Sequence, residues 1–228
     1  MKSGNKQTVT RHVDNLKYSH VYPKVNDELA EWCEETYGSD NLGDVKFVRG
    51  KIHYYLGMIM DFTQEGALKI NMKHYIEGML EESPHKIKGA KKTPWTEKLL
   101  KIQEDAKKLD EERRGIFHTY VMKAMFFLKI ARPDIDQEIS FLSSIVKEAN
   151  KVYWKKLLRV MSLLNVTIND VLTLEVNDTN ILTWYIGVAL AVHSDMKSRT
   201  GAIFTMGKGE IISSSAKKKV NPLSCIES

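Results

Sequence analysis

The spacing of apolar side chains changes twice along this chain, and those changes limit the folds open to it. From Ile52 apolar residues take every second position (Ile52, Tyr54, Leu56, Met58, Met60, Phe62), and beyond Gln64-Glu65-Gly66 they resume as Leu68, Ile70 and Met72. Period two on both sides of a glycine-containing turn predicts a β-hairpin with one buried face. From Asp110 the period becomes helical. Asp110 to Ala131 sets Phe117, Tyr120, Val121, Ala124, Leu128 and Ala131 on one face; Asp134 to Ala149 sets Ile135, Ile139, Leu142 and Val146; Lys151 to Leu164 sets Trp154, Leu157, Leu158, Met161 and Leu164. Three amphipathic helices with short breaks predict a small bundle, with Pro133 suited to the first turn of the second. Phe126, Phe127 and Trp154 are read as packing residues rather than base-stacking platforms. From Leu172 alternation returns: Leu172, Leu174, Val176, then Leu182, Trp184, Ile186, Val188, then Ala202, Phe204, Met206 before a Gly207-Lys208-Gly209 turn. These strands begin a further α/β piece.

Two helices are expected ahead of the bundle. One is Val25 to Tyr37, with Val25, Leu29, Trp32 and Cys33 as its stripe and Gly38 as its stop; the other is Lys73 to Glu82, with Ile76, Met79 and Leu80 inward. The expected class is therefore α+β, in four parts: mixed strands and helices over residues 1–83, a linker over 84–108, a helical bundle over 109–165, and a strand-rich segment over 170–228 that stops before a covering helix.

Charge supports that division. Between Pro84 and Lys101 stand six lysines (Lys86, Lys88, Lys91, Lys92, Lys98, Lys101) against the single acid Glu97, which equals the formal net charge of +5 for the whole chain. The remainder is electrically balanced, which argues against a generally basic nucleic-acid coat and for one local basic connector. That connector either meets phosphate or is a solvated linker. Cys33 and Cys225 stand far apart with no Cys-x-x-Cys spacing, so neither a disulfide framework nor a zinc site is indicated. The polar start Met1-Lys2-Ser3-Gly4-Asn5-Lys6 has no apolar signal core, and no apolar run approaches the ~20 residues of a membrane span. The expectation is an intracellular chain with no membrane partner. The seven histidines are scattered without ligand spacing.

Near the amino terminus His12-Val13-Asp14-Asn15-Leu16-Lys17 forms an acidic turn between two strand-like runs, Thr8 to Val13 and Leu16 to His20. Asp-Asn is also ordinary hairpin-turn chemistry. The segment His12 to His20 resembles the His-Val-Asp-Asp-Leu-Lys segment of copia-type retrotransposon reverse transcriptases. Further stretches are similar to the same family in the same order. Tyr55-Leu56-Gly57-Met58 resembles the strand that follows the palm helix; Phe117-His118-Thr119-Tyr120-Val121 through Ala131-Arg132-Pro133-Asp134-Ile135 resembles the thumb helices; Trp154 to Met161 resembles the next helix. Ala191-Val192-His193-Ser194-Asp195-Met196-Lys197-Ser198-Arg199-Thr200-Gly201, with Ser213-Ser214-Ser215-Ala216-Lys217, resembles the beginning of the ribonuclease H domain. The resemblance implies a distal reverse transcriptase palm over 1–83, a thumb-like bundle over 109–165 and a truncated ribonuclease H-like sheet over 170–228.

The resemblance also implies chemistry. Such polymerases join nucleotides with two Mg²⁺ ions that clamp the attacking and leaving oxygens, held by hard anionic oxygens. By that match Asp14 is a metal ligand and Asn15 occupies the second ligand's place with a neutral amide. Losing one unit charge about 4 Å from a cation forfeits roughly 4 kcal/mol at an effective dielectric near 20. In the ribonuclease H part the first-strand aspartate is replaced by Gly187, and the first-helix glutamate falls at Glu227; Asp195 is read as a structural loop residue. The expectation is a catalytically inactive piece of a Pol polyprotein whose Mg²⁺ is not bound productively. Its partners by resemblance are an RNA or DNA template-primer, met by Lys86, Lys88, Lys91 and Lys92, and an intact element Pol protein. The alternative is a nucleic-acid-binding or element-protein-interacting module without catalysis.

Overall fold

The computed structural model describes residues 5–38, 44–85, 87, 89–96, 100, 105–178, 180–190 and 196–219. Helices and strands are mixed throughout, which is the α+β class expected. By their contacts the residues fall into two compact units, Met1–Leu56 and Gly57–Ser228.

In the first unit β1 (Thr8–His12) and β2 (Asn15–Ser19) form a two-stranded antiparallel sheet, with Thr8 opposite Ser19 and His12 opposite Asn15. Helix α1 (Pro23–Tyr37) opens with a proline, where a missing N–H leaves no bond unmade, and closes where Gly38 N donates to Glu34 O at 2.8 Å. Its buried residues are Ala30 and Cys33, whereas Trp32 is 51% exposed. The expected stripe is thus corrected: Trp32 lies one position, roughly 100°, off the buried line, and its ring packs edge-on against Tyr37 with centroids 5.8 Å apart. Strand β3 (Ile52–Tyr55) completes the unit. Polar ties dominate here: Gln7 Nε2 donates to Asn26 Oδ1 at 3.2 Å, Val45 N donates to Glu34 Oε2 at 3.1 Å, and Arg49 pairs with Asp27. Ala30 and Cys33 are the buried side chains among its described residues. So small an apolar core gives marginal stability.

In the second unit β4 (Met58–Asp61) and β5 (Ala67–Asn71) form the expected hairpin, with Met60 opposite Ile70. The alternating run ahead of it is not one strand. It breaks at Leu56 (φ 52°) and Gly57 (φ 78°), left-handed conformations that a strand does not accommodate. Helix α2 (Lys73–Glu81) buries Ile76 and Met79. The bundle then follows as α3 (Glu111–Leu128), a 3-10 turn at Pro133–Ile135, α4 (Asp136–Ser144) and α5 (Lys151–Val166). Helix α3 is capped by Asp110, whose side chain accepts from Arg113 N at 2.8 Å. Helix α5 is capped by Asn150, whose Oδ1 accepts from Val152 N at 2.9 Å and Tyr153 N at 3.1 Å. Each cap contributes about 1 kcal/mol. The shared core contains Phe117, Val121, Phe127, Ile135, Ile139, Leu142 and Leu164, all fully buried. Phe126 is partly exposed, but its ring lies 5.2 Å from that of Tyr75 on α2; Trp154 lies between His85 and Phe117.

At the corner between α3 and α4, Arg132 is nearly inaccessible. Its Nε and Nη2 each donate to an Asp134 carboxylate oxygen at 2.8 Å, Nη1 donates to Thr167 O at 3.1 Å, and Nη2 also reaches Thr167 Oγ1 at 2.8 Å. The guanidinium thereby locks the corner to the end of α5, and its charge is buried with partners in place.

The strand β6 (Leu172–Val176) pairs antiparallel with β5, Leu174 opposite Leu68. Its sequence reads as the start of a new piece, yet its ladder returns to the hairpin that precedes the bundle, because Leu172 and Leu174 pack on the shared core. Next come β7 (Thr183–Ala189), β8 (Arg199–Thr205), β9 (Gly207–Lys208) and β10 (Ile212–Lys217). Strands β10, β8 and β7 form a three-stranded antiparallel sheet, while β9 pairs with β6, Val176 opposite Gly207. The Gly207-Lys208-Gly209 segment is therefore a joint between two sheets. Only glycine fits there: a β-carbon on Gly207 would stand 2.4 Å from Glu175 O, and one on Gly209 (φ 81°) 2.1 Å from Thr173 O. Among the described residues no helix is long and apolar enough to cross a membrane.

Candidate functional site

The register of the first hairpin leaves Val13 and Asp14 as a two-residue loop, with Asn15 as the first residue of β2. Val13 has φ 53° and is 73% exposed, an uncommon conformation for a β-branched residue. Arg11 Nε donates to Val13 O at 3.1 Å and closes the tip. Asn15 Nδ2 donates to Asp14 Oδ1 at 3.1 Å. The Asn15 N–H is thus aimed at the Asp14 carboxylate. Magnesium ligands are anionic or carbonyl oxygens, and here one carboxylate stands with an amide donor on it. Among the described residues no group of three His, Cys, Asp or Glu side chains is placed to hold a metal ion. The described residues at the hairpin tip offer one carboxylate, fewer anionic ligands than a two-ion site requires.

Gly187 lies in the middle of β7 opposite Gly201 on β8. A β-carbon added to Gly187 would meet nothing within 4 Å, so close packing does not require the glycine. Glycine supplies no ligand. Two positions at which an acid is expected by resemblance therefore hold an amide and a hydrogen atom.

The chain is similar to a transposon protein. Over 207 residues, 91% of its length, it is 22% identical to a protein of Saccharomyces cerevisiae named for the transposon Ty5-1. It spans 64% of that relative's length. The likeness supports a transposon-related origin. No protein-family model matches the chain, and no solved structure matches it.

Of the connector lysines, Lys91 and Lys92 are exposed; Lys86 and Lys88 lie outside the described residues, as does Glu227. The connector beside Lys92 is docked. Arg159 on α5 donates from Nε to Thr93 O at 3.0 Å and from Nη2 to Thr93 Oγ1 at 2.9 Å, and Pro94 is buried. Lys91 and Lys92 are displayed beside the bundle, where phosphate can reach them.

One ionisable group that the sequence reading passed over is Glu138 on α4, which is 1% exposed. Burial pushes its carboxyl up to about 7, against the pull of Lys156 and Arg159. Spacing held the signal: Glu138 sits three residues after Ile135 and four before Leu142, on the buried face. Lys156 faces it from α5, its ammonium 4.5 Å from the centroid of the Phe141 ring, and burial lowers the Lys156 pKa.

Proposed function

We propose that this chain corresponds to the distal palm, the thumb and the first ribonuclease H strands of a copia-type retrotransposon Pol polyprotein, the RNA-directed DNA polymerase family, and that it does not itself transfer nucleotides. The observation that carries this reading is Asn15, which stands where a second carboxylate is needed and directs its amide N–H at Asp14. When bound, a magnesium pair would activate the attacking oxygen and stabilise the leaving one. Asp14 alone brings too little negative charge to hold two divalent ions close together. Gly187 extends the same logic to the ribonuclease H part, since its sterically open position carries no acid. The expected cofactor, Mg²⁺, is on this reading not bound productively.

A purified chain given a primed RNA or DNA template, deoxynucleotides and Mg²⁺ is expected to leave the primer unextended. Template-directed extension would overturn the proposal.

The exposed Lys91 and Lys92, docked beside α5 through Thr93, favour a second reading: a module that binds a nucleic-acid duplex without catalysis. Such binding falls steeply between about 50 mM and about 200 mM salt through counterion release. Binding absent at the lower salt, or unchanged at the higher, would remove this reading. Co-purification with an intact element Pol protein would instead favour the protein-interaction form of the same idea.

A further inference from the structure

Strand β7 is an edge of the β10-β8-β7 sheet, so among the described residues its outer side meets no further strand. Its side chains are exposed on both faces, Trp184, Ile186 and Val188 on one and Tyr185 on the other, with Ile186 70% exposed. From residue 181 to residue 190 the chain carries no charge and no proline. A strand apolar on both faces is composed like an interior strand, and a bare edge of that kind is a template for pairing unless charge, proline or a cover blocks it. The opposite edge of the same sheet is blocked. Strand β10 presents Ser213, Ser214 and Ser215, ends at Lys217 and is followed by Lys218 and Lys219. Helix α4 packs against it, and Ser213 O accepts from Lys129 Nζ at 3.1 Å.

The strand that fits this edge is its own copy. Thr183–Ala189 has seven residues, with Ile186 at the centre. Antiparallel pairing about a two-fold axis at Ile186 overlaps the whole strand: Thr183 stands opposite Ala189 of the second copy, Trp184 opposite Val188, Tyr185 opposite Gly187 and Ile186 opposite itself. Like faces meet in this register, and each bulky residue off the axis meets a smaller one. The Tyr185 ring is set over Gly187, where an added β-carbon would meet nothing within 4 Å, and an aromatic ring across from an edge glycine covers its bare backbone. A two-fold axis also sets the central residue against its own copy, which a charged residue would resist and an isoleucine does not. On the outer face Trp184 stacks on Phe204 of β8, ring centroids 4.8 Å apart, so the apolar surface on either side of the axis is continuous.

We propose that two copies of this chain associate through β7, joining their three-stranded sheets into one antiparallel sheet with its two-fold axis at Ile186. One strand pair buries less than the ~1,600 Å² of a standard interface, so the association depends on concentration. Closure uses both bare edges and leaves the blocked β10 edges at the ends, so assembly stops at two copies. The inference goes beyond the reading above, because it needs neither the hairpin tip nor any acid missing from the sheet.

Sedimentation equilibrium of the full chain, 26.2 kDa, from about 1 μM to about 1 mM tests this. The average mass is expected to rise from that of one copy to a plateau at that of two. Ile186→Lys, at an exposed position, sets two ammonium groups against each other across the axis and is expected to weaken association roughly tenfold or more, with the melting temperature of the dilute chain unchanged. Trp184→Lys is expected to weaken it likewise, and adding Val188→Glu to that variant is expected to restore it, because this register brings the introduced charges face to face. Should Trp184→Lys disturb the fold through Phe204, Ile186→Lys decides. A single-copy mass at every concentration, a mass that climbs past two copies without a plateau, an Ile186→Lys chain that associates as wild type does, or no restoration by Val188→Glu would overturn the proposal.

Discussion

The Asn15 side-chain amide donates to the Asp14 carboxylate across 3.1 Å at the tip of the first hairpin. A carboxylate in Asn15's place would instead repel Asp14, by about 1 kcal/mol in bulk water at 4 Å and by more where water is scarce. Asparagine therefore relieves a repulsion that a divalent cation would otherwise have to offset. On the proposed reading, asparagine there stabilises the hairpin without metal and weakens it as a metal site.

Protection against hydrogen exchange should differ sharply between the two units. Residues 117–128 of α3 lie in a core that includes fully buried Phe117, Val121 and Phe127, whereas Val9 on β1 is 50% exposed and its strand belongs to a two-stranded sheet. Amides of α3 are expected to exchange near the global unfolding rate and those of Thr8–His12 by local opening. Strong protection in β1 with weak protection in α3 would contradict the fold described.

Arg132→Lys should destabilise the second unit by about 2 kcal/mol. A lysine cannot hold both oxygens of Asp134 and both Thr167 groups at once, yet its charge stays buried. Urea denaturation measures the loss, and an unchanged midpoint would show that the corner does not need the fork.

Stability should depend on pH through Glu138. Its pKa in the folded chain, about 7, lies above the ordinary 4.5, so the folded state holds the proton more tightly than the unfolded one. This contribution is complete below the unfolded value and is lost as pH rises through the folded value. Raising the pH from about 5 to about 8 should lower the melting temperature of wild type more than that of Glu138→Gln. Equal pH dependence in the two chains would remove Glu138 as the cause.

The two kinds of glycine make opposite predictions. Gly209→Ala should destabilise by about 2 kcal/mol or more, since the new methyl meets Thr173 O at a backbone angle that suits glycine. Gly187→Ala should be neutral or stabilising by about 0.5 kcal/mol, because its β-carbon meets nothing within 4 Å and alanine restricts the unfolded chain. Thermal melts of the two variants decide, and equal losses would mean that Gly187 is required for packing.

Much of the bundle was legible in the sequence because its apolar stripes are long and helical period leaves little choice of face: Phe117, Val121, Ala124 and Leu128 are all buried as the spacing requires. The pairing of β6 with β5 was not. Alternation reveals which face of a strand is apolar but not which strand it joins, and here the whole bundle separates the partners. The break at Leu56-Gly57 was hidden for a related reason, since a two-residue turn need not disturb the alternation. At the candidate site the identities of Asp14, Asn15 and Gly187 could be read directly. The direction of the Asn15 amide and the open space at Gly187 depend on torsions and neighbours that a sequence does not carry.

A titration with paramagnetic Mn²⁺ as a magnesium surrogate, read by NMR line broadening at Asp14 and Asn15, tests most directly whether the hairpin tip can hold a pair of divalent ions. Wild type is predicted to show no saturable broadening at these residues below millimolar ion, with Asn15→Asp gaining affinity as the second carboxylate returns. Saturable broadening at micromolar Mn²⁺ in wild type, lost in Asp14→Ala, would contradict the account.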